Sequence, residues 1–243
     1  MTASKVPQFS YLFGHYDRLH EMPLEPFAPY VAPEIWQRFP GYRALSVVIR
    51  GFSAAETSPA AASQPSLPSW CDLSIEAWHT AFRQFGSNPK RTAPSFDSLI
   101  RRFRKDGALP VISPIVDCYN ALSVQFAAPF GGEDIDRYSG VPRLVLADGS
   151  ETFDTTQSGV AVVEHPDAGE IIWRDDLGAT CRRWNWRQCR RTAITCESTN
   201  LWFVIDRLPP MSIDDSHQAG EALVKGMREM APAISYSITL LAP

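Results

Sequence analysis

From Pro33 onward the spacing of apolar residues changes repeatedly along the chain, and each spacing predicts a different element. Pro33 to Phe39 places Ile35 and Trp36 behind a proline suited to a first helical turn, and reads as a short helix. Tyr42 to Phe52 (YRALSVVIRGF) is β-branched and largely apolar, a central strand. Helical spacing returns between Leu73 and Phe85, where Ile75, Trp78, Ala81, Phe82 and Phe85 share a side. Ser95 to Lys105 predicts another helix, with Ser95 as its cap, Leu99, Ile100 and Phe103 inward, and Gly107 at its end. Ser113-Pro114 is a strong helix start. Behind it Ile115, Tyr119, Leu122 and Phe126 form a core-facing stripe, while Asp117, Asn120 and Val124 share a different face. Phe130-Gly-Gly-Glu-Asp then reads as a turn presenting Glu133 and Asp134, its glycines permitting positive φ or close approach of another group.

From Arg143 the pattern becomes that of short strands. RLVLA, ETFDT, GVAVVE and EIIWRD are separated by Asp148-Gly149, Ser158-Gly159 and Pro166-Asp167-Ala168-Gly169. Thr180 to Gln188 and Thr192 to Thr195 are expected to continue the sheet. Alternation would then turn Arg183, Asn185 and Arg187 one way and Trp184, Trp186 and Gln188 the other. Leu201 to Leu208 (LWFVIDRL) is a buried strand. Ser212 to Met230 is a capped amphipathic helix with Ala222, Leu223, Met227 and Met230 inward, and SYSITLLAP is a last strand. Helices first, a β-rich middle, then a helix and a strand describe an α+β fold. Residues 1–29, aromatic and proline-rich without a period, are expected to be an arm packed on a single domain spanning 30–243. The alanine, serine and proline of about 55–69 predict a mobile loop within it.

Composition narrows the function classes. With 44% hydrophobic and 21% charged residues the chain is an ordinary globular one. No apolar run approaches the roughly 18 residues of a membrane span. The N-terminus lacks the basic-then-apolar order of a signal peptide, so a cytoplasmic location is expected. The five cysteines are odd in number and form no Cys-x-x-Cys, which argues for reduced thiols and against a disulfide framework or a structural zinc site. His15 and His20 lack a fixed helical spacing, and His79 stands alone in a helix; packing or surface roles are expected, and no metal. Phosphate-cradling, dinucleotide and nucleophile-elbow glycine motifs are missing, and no cofactor is expected.

Charge is more informative in its distribution than in its sum of −4. Basic residues cluster between Arg83 and Lys105 and again between Arg182 and Arg191, while acidic residues gather at 133–176 and at Asp214-Asp215. A locally basic face suits a polyanion touched over a small footprint. Each polar cluster keeps two readings. Arg101, Arg102, Arg104 and Lys105 form a solvated helix face or one that meets phosphate. Asp117 and Asn120 line a pocket or form a buried hydrogen-bonded pair. Arg183, Asn185 and Arg187 face solvent or grip a ligand bidentately.

Several short motifs carry a resemblance to a known family. They are Leu109-Pro110, Ile112, Pro114, Val116-Asp117, Tyr119-Asn120-Ala121, Ser123, Gly131-Gly132-Glu133-Asp134, Asp175-Asp176, Arg182-Arg183-Trp184-Asn185-Trp186-Arg187-Gln188 and Arg191-Thr192. Pro33-Glu34, Arg38-Phe39-Pro40, Phe85-Gly86 and Pro89-Lys90-Arg91-Thr92 add to them. At these positions the chain resembles free-standing B3/B4-domain proteins, which are related to the editing domain of the phenylalanyl-tRNA synthetase beta subunit.

The resemblance implies a β-sandwich-like core flanked by helices, a pocket for an amino acid, and hydrolysis of the ester of a mischarged tRNA. Its implied partners are the aminoacylated 3′ end of tRNA and an amino acid, with no membrane and no DNA, and a monomeric chain. It implies a catalytic set of Asn120, Glu133 and Asp134. Substrate contacts fall to Asp117, Gly131, Gly132, Asn185, Arg187 and Gln188, and tRNA contacts to Lys90, Arg91, Arg101, Arg102, Arg183 and Arg191. Asn120 matches the synthetase pattern's asparagine, nine residues before Pro129. Two residues after that proline the synthetase has a histidine where this chain has Gly131, and the glutamate of its second motif has no equivalent near Arg190. Either other groups act here, or the chain is a non-catalytic module that binds an amino acid or aminoacyl-tRNA.

Overall fold

The computed structural model describes residues 27–53 and 65–243. His15 and His20, nearly all of the arm expected over 1–29, and most of the loop expected over 55–69 lie outside the described residues. Strand β1 (Tyr30–Val31) and helix α1 (Pro33–Arg38) lead into β2 (Arg43–Arg50). Helices α2 (Cys71–Gln84), α3 (Ser95–Asp106) and α4 (Pro114–Gln125) follow. The β-rich middle comprises β3 (Phe130–Asp134), β4 (Arg143–Leu146), β5 (Phe153–Gln157), β6 (Val160–Glu164), β7 (Ile171–Arg174), β8 (Ala179–Arg182) and β9 (Arg187–Gln188). Strand β10 (Leu201–Arg207), helix α5 (Ile213–Met230) and β11 (Ser235–Leu241) close an α+β fold.

Two sheets pack face to face. One is five-stranded in the order β1-β4-β7-β8-β9, the other four-stranded in the order β11-β2-β10-β3. The near-continuous apolar character of β2 and β10 has a simple cause: both faces of their sheet are covered. Ala44 and Val48 of β2, with Trp202 and Val204 of β10, face Leu144, Ile171 and Trp173 of the other sheet. The ring centroids of Trp173 and Trp202 lie 5.1 Å apart, edge to face. Leu45, Val47, Ile49, Phe203 and Ile205 turn the other way, onto Ile115 and Tyr119 of α4 and Leu223 and Met227 of α5. Hairpin β5-β6 covers the outer face of the five-stranded sheet through Phe153, packed with Ile172 and Ala179. Among the described residues no helix is long and apolar enough to cross a membrane.

Local signals explain most helix ends. Ser113 caps α4 by accepting from the Val116 N–H, Ser212 and Asp215 form a capping box on α5, and Gly107 closes α3 in the left-handed region. The cap expected at Ser95 is not made. Pro94 is the capping residue, and the Ser95 hydroxyl is buried without a partner. On α5, Ala222 is only half-buried, and Ala219, Gly220 and Val224 complete the inward face.

Three expectations for the β-rich region are overturned. The Gly-Gly-Glu-Asp segment is not a turn but the edge strand β3, paired with β10 from Phe130↔Ile205 to Asp134↔Leu201. Its glycines serve close approach instead: a Cβ on Gly132 would lie 2.8 Å from the Phe203 ring and 3.0 Å from Ile194. Thr180 to Gln188 is not one strand either. Arg183 and Trp184 adopt φ of 45° and 65°, which breaks it into β8, a tight turn and β9. Left-handed backbone costs a non-glycine residue roughly 1–2 kcal/mol. Here it drops Trp184 into an aromatic nest of Phe39, Tyr42, Trp78 and Phe85, where it is fully buried. Trp184 and Trp186 therefore do not share a face. Third, Thr192 to Thr195 contributes one bridge, Glu133↔Ala193, and no strand.

Candidate functional site

Two polar stretches of the sequence, residues 109–136 and 175–192, meet along β3. Gln188 Nε2 donates to the Gly132 carbonyl at 3.1 Å, and the Asp134 N–H donates to the Thr192 carbonyl at 2.8 Å. The Thr192 hydroxyl donates to Glu133 Oε1 at 3.1 Å. Glu133 lies opposite Trp202 on the face between the sheets and is 3% exposed. Burial pushes its carboxyl up to about 8, against the opposing pull of the Thr192 hydroxyl and the Arg191 charge. At neutral pH it is a protonated acid, not a carboxylate. The neighbouring Cys189 thiol contacts the Thr192 hydroxyl at 3.1 Å and is pushed up to about 11 by burial and by Glu133.

Asp134 and Asp117 each make structural hydrogen bonds. Asp134 is buried, accepts from the Ser198 hydroxyl at 2.6 Å and from the Asp136 N–H at 3.0 Å, and so holds its own turn. Asp117 accepts from the Ile112 N–H at 2.8 Å, fastening the loop that enters α4. It makes no hydrogen bond to Asn120, so of the two readings of this pair the hydrogen-bonded one is not formed. Asn120 is buried in α4, and its side-chain amide has no hydrogen-bond partner among the described residues.

The turn after β8 builds a second buried polar group. Asn185 Nδ2 donates to Asp206 Oδ2 at 3.1 Å, its Oδ1 is buried and unpartnered, and its backbone carbonyl accepts from the Ser95 N–H. Tyr42 donates to Asp206 Oδ1 at 2.7 Å. Asp206 is 1% exposed, and burial raises its carboxyl to about 6 despite the hydrogen bonds it receives. Tyr42, Asp206, Thr192 and Ser198 were not among the expected site residues. A readable signal existed for Asp206, a lone aspartate inside the apolar run LWFVIDRL. Thr192 stands in the Arg191-Thr192 motif quoted above, and nothing local marks Tyr42 and Ser198, whose partners are distant in sequence.

The arginines divide by what already holds them. Arg191 grips buried Asp175 through its two terminal nitrogens, Nη1 and Nη2, at 2.8 and 2.9 Å, and Nη1 also donates to the Arg137 carbonyl. Arg101 grips Asp97 at 2.8 and 2.6 Å, and Arg102 lies 3.7 Å from Asp106. Arg183 and Arg187 both stack on Trp186, at 4.7 and 5.3 Å from its centroid, and Arg183 also approaches Asp167 at 3.5 Å. Lys90 and Arg91, exposed on the turn before α3, have no ion-pair partner among the described residues. Beside the second stretch opens a cavity of about 440 Å³ lined by Thr152, Asp154, Val163, Leu177, Gly178 and Arg191. Of the expected site residues, Arg191 alone lines it.

Comparison with known proteins adds the following. A family model described as the B3/4 domain matches residues 77–227. Fifteen chains among solved structures match. One is an N-terminal fragment of the phenylalanyl-tRNA synthetase beta-subunit from Pyrococcus horikoshii. It is 10% identical with a TM-score of 0.43, and the match covers 86% of this chain and 49% of that one. The chain thus spans about half the length of that fragment. No curated protein matches.

Proposed function

The chain belongs to the B3/4 domain family, and from that footing we propose that it acts on aminoacyl-tRNA, hydrolysing the ester bond of a mischarged species. The observation that carries this reading is the junction of the two polar stretches, where Gly132, Glu133, Gln188 and Thr192 come into contact. Each chemical need has a candidate. Glu133, held at about 8, exchanges its proton close to neutral pH, as an acid-base group in ester hydrolysis must. The unengaged Asn120 amide offers a donor for a developing oxyanion. The buried Asn185 Oδ1 is an unpartnered acceptor, which an ammonium group reaches only by opening the turn after β8. Lys90 and Arg91, without an ion-pair partner among the described residues, offer cations for phosphate.

A second reading, binding of an amino acid or aminoacyl-tRNA without turnover, is favoured by one specific observation. Glu133 and Asp134 are both 3% exposed, which leaves neither carboxyl open to a water. A panel of correctly and incorrectly charged tRNAs, including tyrosine on a phenylalanine tRNA, separates the two. Release from a mischarged species, lost in Glu133→Gln, supports the deacylase. Saturable binding with no release from any member leaves the binding module, and neither binding nor release removes both.

A further inference from the structure

The cavity beside β5 and β6 has a polar construction of its own. Its floor is Gly178, where a Cβ would run into the Thr152 carbonyl oxygen. The Thr152 hydroxyl donates to the Leu177 carbonyl at 3.1 Å, and the Ala179 N–H donates to the Thr152 carbonyl at 2.8 Å. Asp154 and Val163 are cross-strand partners, so they project from the same face of the hairpin. Val163 and Leu177 are 63% and 60% exposed, two apolar side chains left open beside a polar floor.

Two opposite charges share this space without pairing. Arg191 is locked by Asp175, which also accepts the N–H groups of Ser139, Leu177 and Gly178. Three of the arginine's N–H groups are engaged, by Asp175 and the Arg137 carbonyl. A guanidinium carries five, so part of its fork remains unspent. Asp154, half-buried in the same cavity, makes no side-chain hydrogen bond or ion pair among the described residues. The volume of about 440 Å³ falls within the roughly 300–1,000 Å³ of small-molecule sites.

We propose that this cleft binds a small zwitterion with an apolar side chain, of the free α-amino-acid class. The ammonium group meets Asp154, the carboxylate meets the unspent edge of Arg191, and the side chain lies over Val163 and Leu177. The site requires a free carboxylate, which an aminoacyl ester lacks. It is therefore separate from the ester chemistry proposed above and stands whether or not that reading holds.

Calorimetric titration of the full chain with L-leucine, leucine methyl ester and 4-methylpentanoate tests the proposal. Leucine is expected to saturate one site. The ester, lacking the carboxylate, and the acid, lacking the ammonium, each bind about tenfold more weakly, the worth of a charge-assisted hydrogen bond. Asp154→Asn is expected to lower leucine affinity by a similar factor and leave 4-methylpentanoate unchanged. The backbone carbonyl of Asp154, which accepts from the Arg190 N–H, is untouched by that change. Three results would each overturn the proposal: no saturable leucine binding, an ester that binds as tightly as leucine, or an Asp154→Asn chain that binds leucine like the parent.

Discussion

Thr192 donates its hydroxyl hydrogen to Glu133 across 3.1 Å, joining a side chain of the arginine-rich stretch to the buried acid of β3. The bond holds an acid whose charge state differs between the folded and unfolded chain, and that difference has a measurable sign.

Glu133 keeps its proton in the folded chain up to about pH 8, against an ordinary value of 4.5. Between those values the folded state holds the extra proton, so the acid's contribution to stability is complete below the window and lost as pH rises through it. Asp206, raised from 3.8 to about 6, acts in the same direction over a lower range. Urea midpoints are expected to fall from mildly acidic to mildly alkaline pH, by an amount on the order of a few kcal/mol in free energy. Glu133→Gln is expected to flatten the upper part of that slope; an unchanged slope would contradict the assignment.

Tyr42→Phe removes one of the donors to buried Asp206 while leaving the ring in the aromatic nest. A loss of about 1–3 kcal/mol is expected, the worth of a hydrogen bond to a buried charged group. Thermal or urea unfolding at neutral pH measures it, and the loss should shrink in acid, where Asp206 is protonated in both chains.

Gly132→Ala places a methyl group against the Phe203 ring. Overpacking of this kind costs about 1–3 kcal/mol. The double change with Phe203→Leu should recover part of the loss, and a double-mutant cycle on unfolding free energies reads the coupling. Additive losses would mean that the ring is not what demands glycine.

For tRNA binding, the free cations should matter differently from the committed ones. Lys90→Ala and Arg91→Ala are each expected to weaken binding of charged tRNA and to reduce the salt slope by about one unit, with no effect on unfolding. Arg191→Ala instead leaves Asp175 buried without its partner and should cost about 3–5 kcal/mol of stability. Filter binding across a salt series, beside unfolding curves, distinguishes the two classes.

The elements easiest to read from sequence were those whose signal lies within the element itself. β2 and β10 are apolar throughout because both faces are covered, and Ser113 and Ser212 cap helices within a few residues of themselves. What misled was non-local. Gly131-Gly132 has the look of a turn, but the glycine requirement at Gly132 comes from Phe203 and Ile194, more than sixty residues away. Alternation at 180–188 failed because a buried site for Trp184 outweighed the cost of two left-handed residues. The basic clusters were visible as composition; Arg101 is engaged by Asp97 one turn back on its own helix, a spacing the sequence carries, whereas the hold of Asp175 on Arg191 depends on the fold.

The carboxylate of Asp175 receives the amides of Ser139, Leu177 and Gly178 as well as the Arg191 fork. Three segments remote in sequence therefore share one fastening, and none can open far without the others losing theirs. In deuterium exchange these amides should behave as one cooperative unit, exchanging at a common rate. Weakening the carboxylate would speed all three together, so that a disturbance at the Ser139 turn is felt at the cavity wall without any movement of the sheets between them.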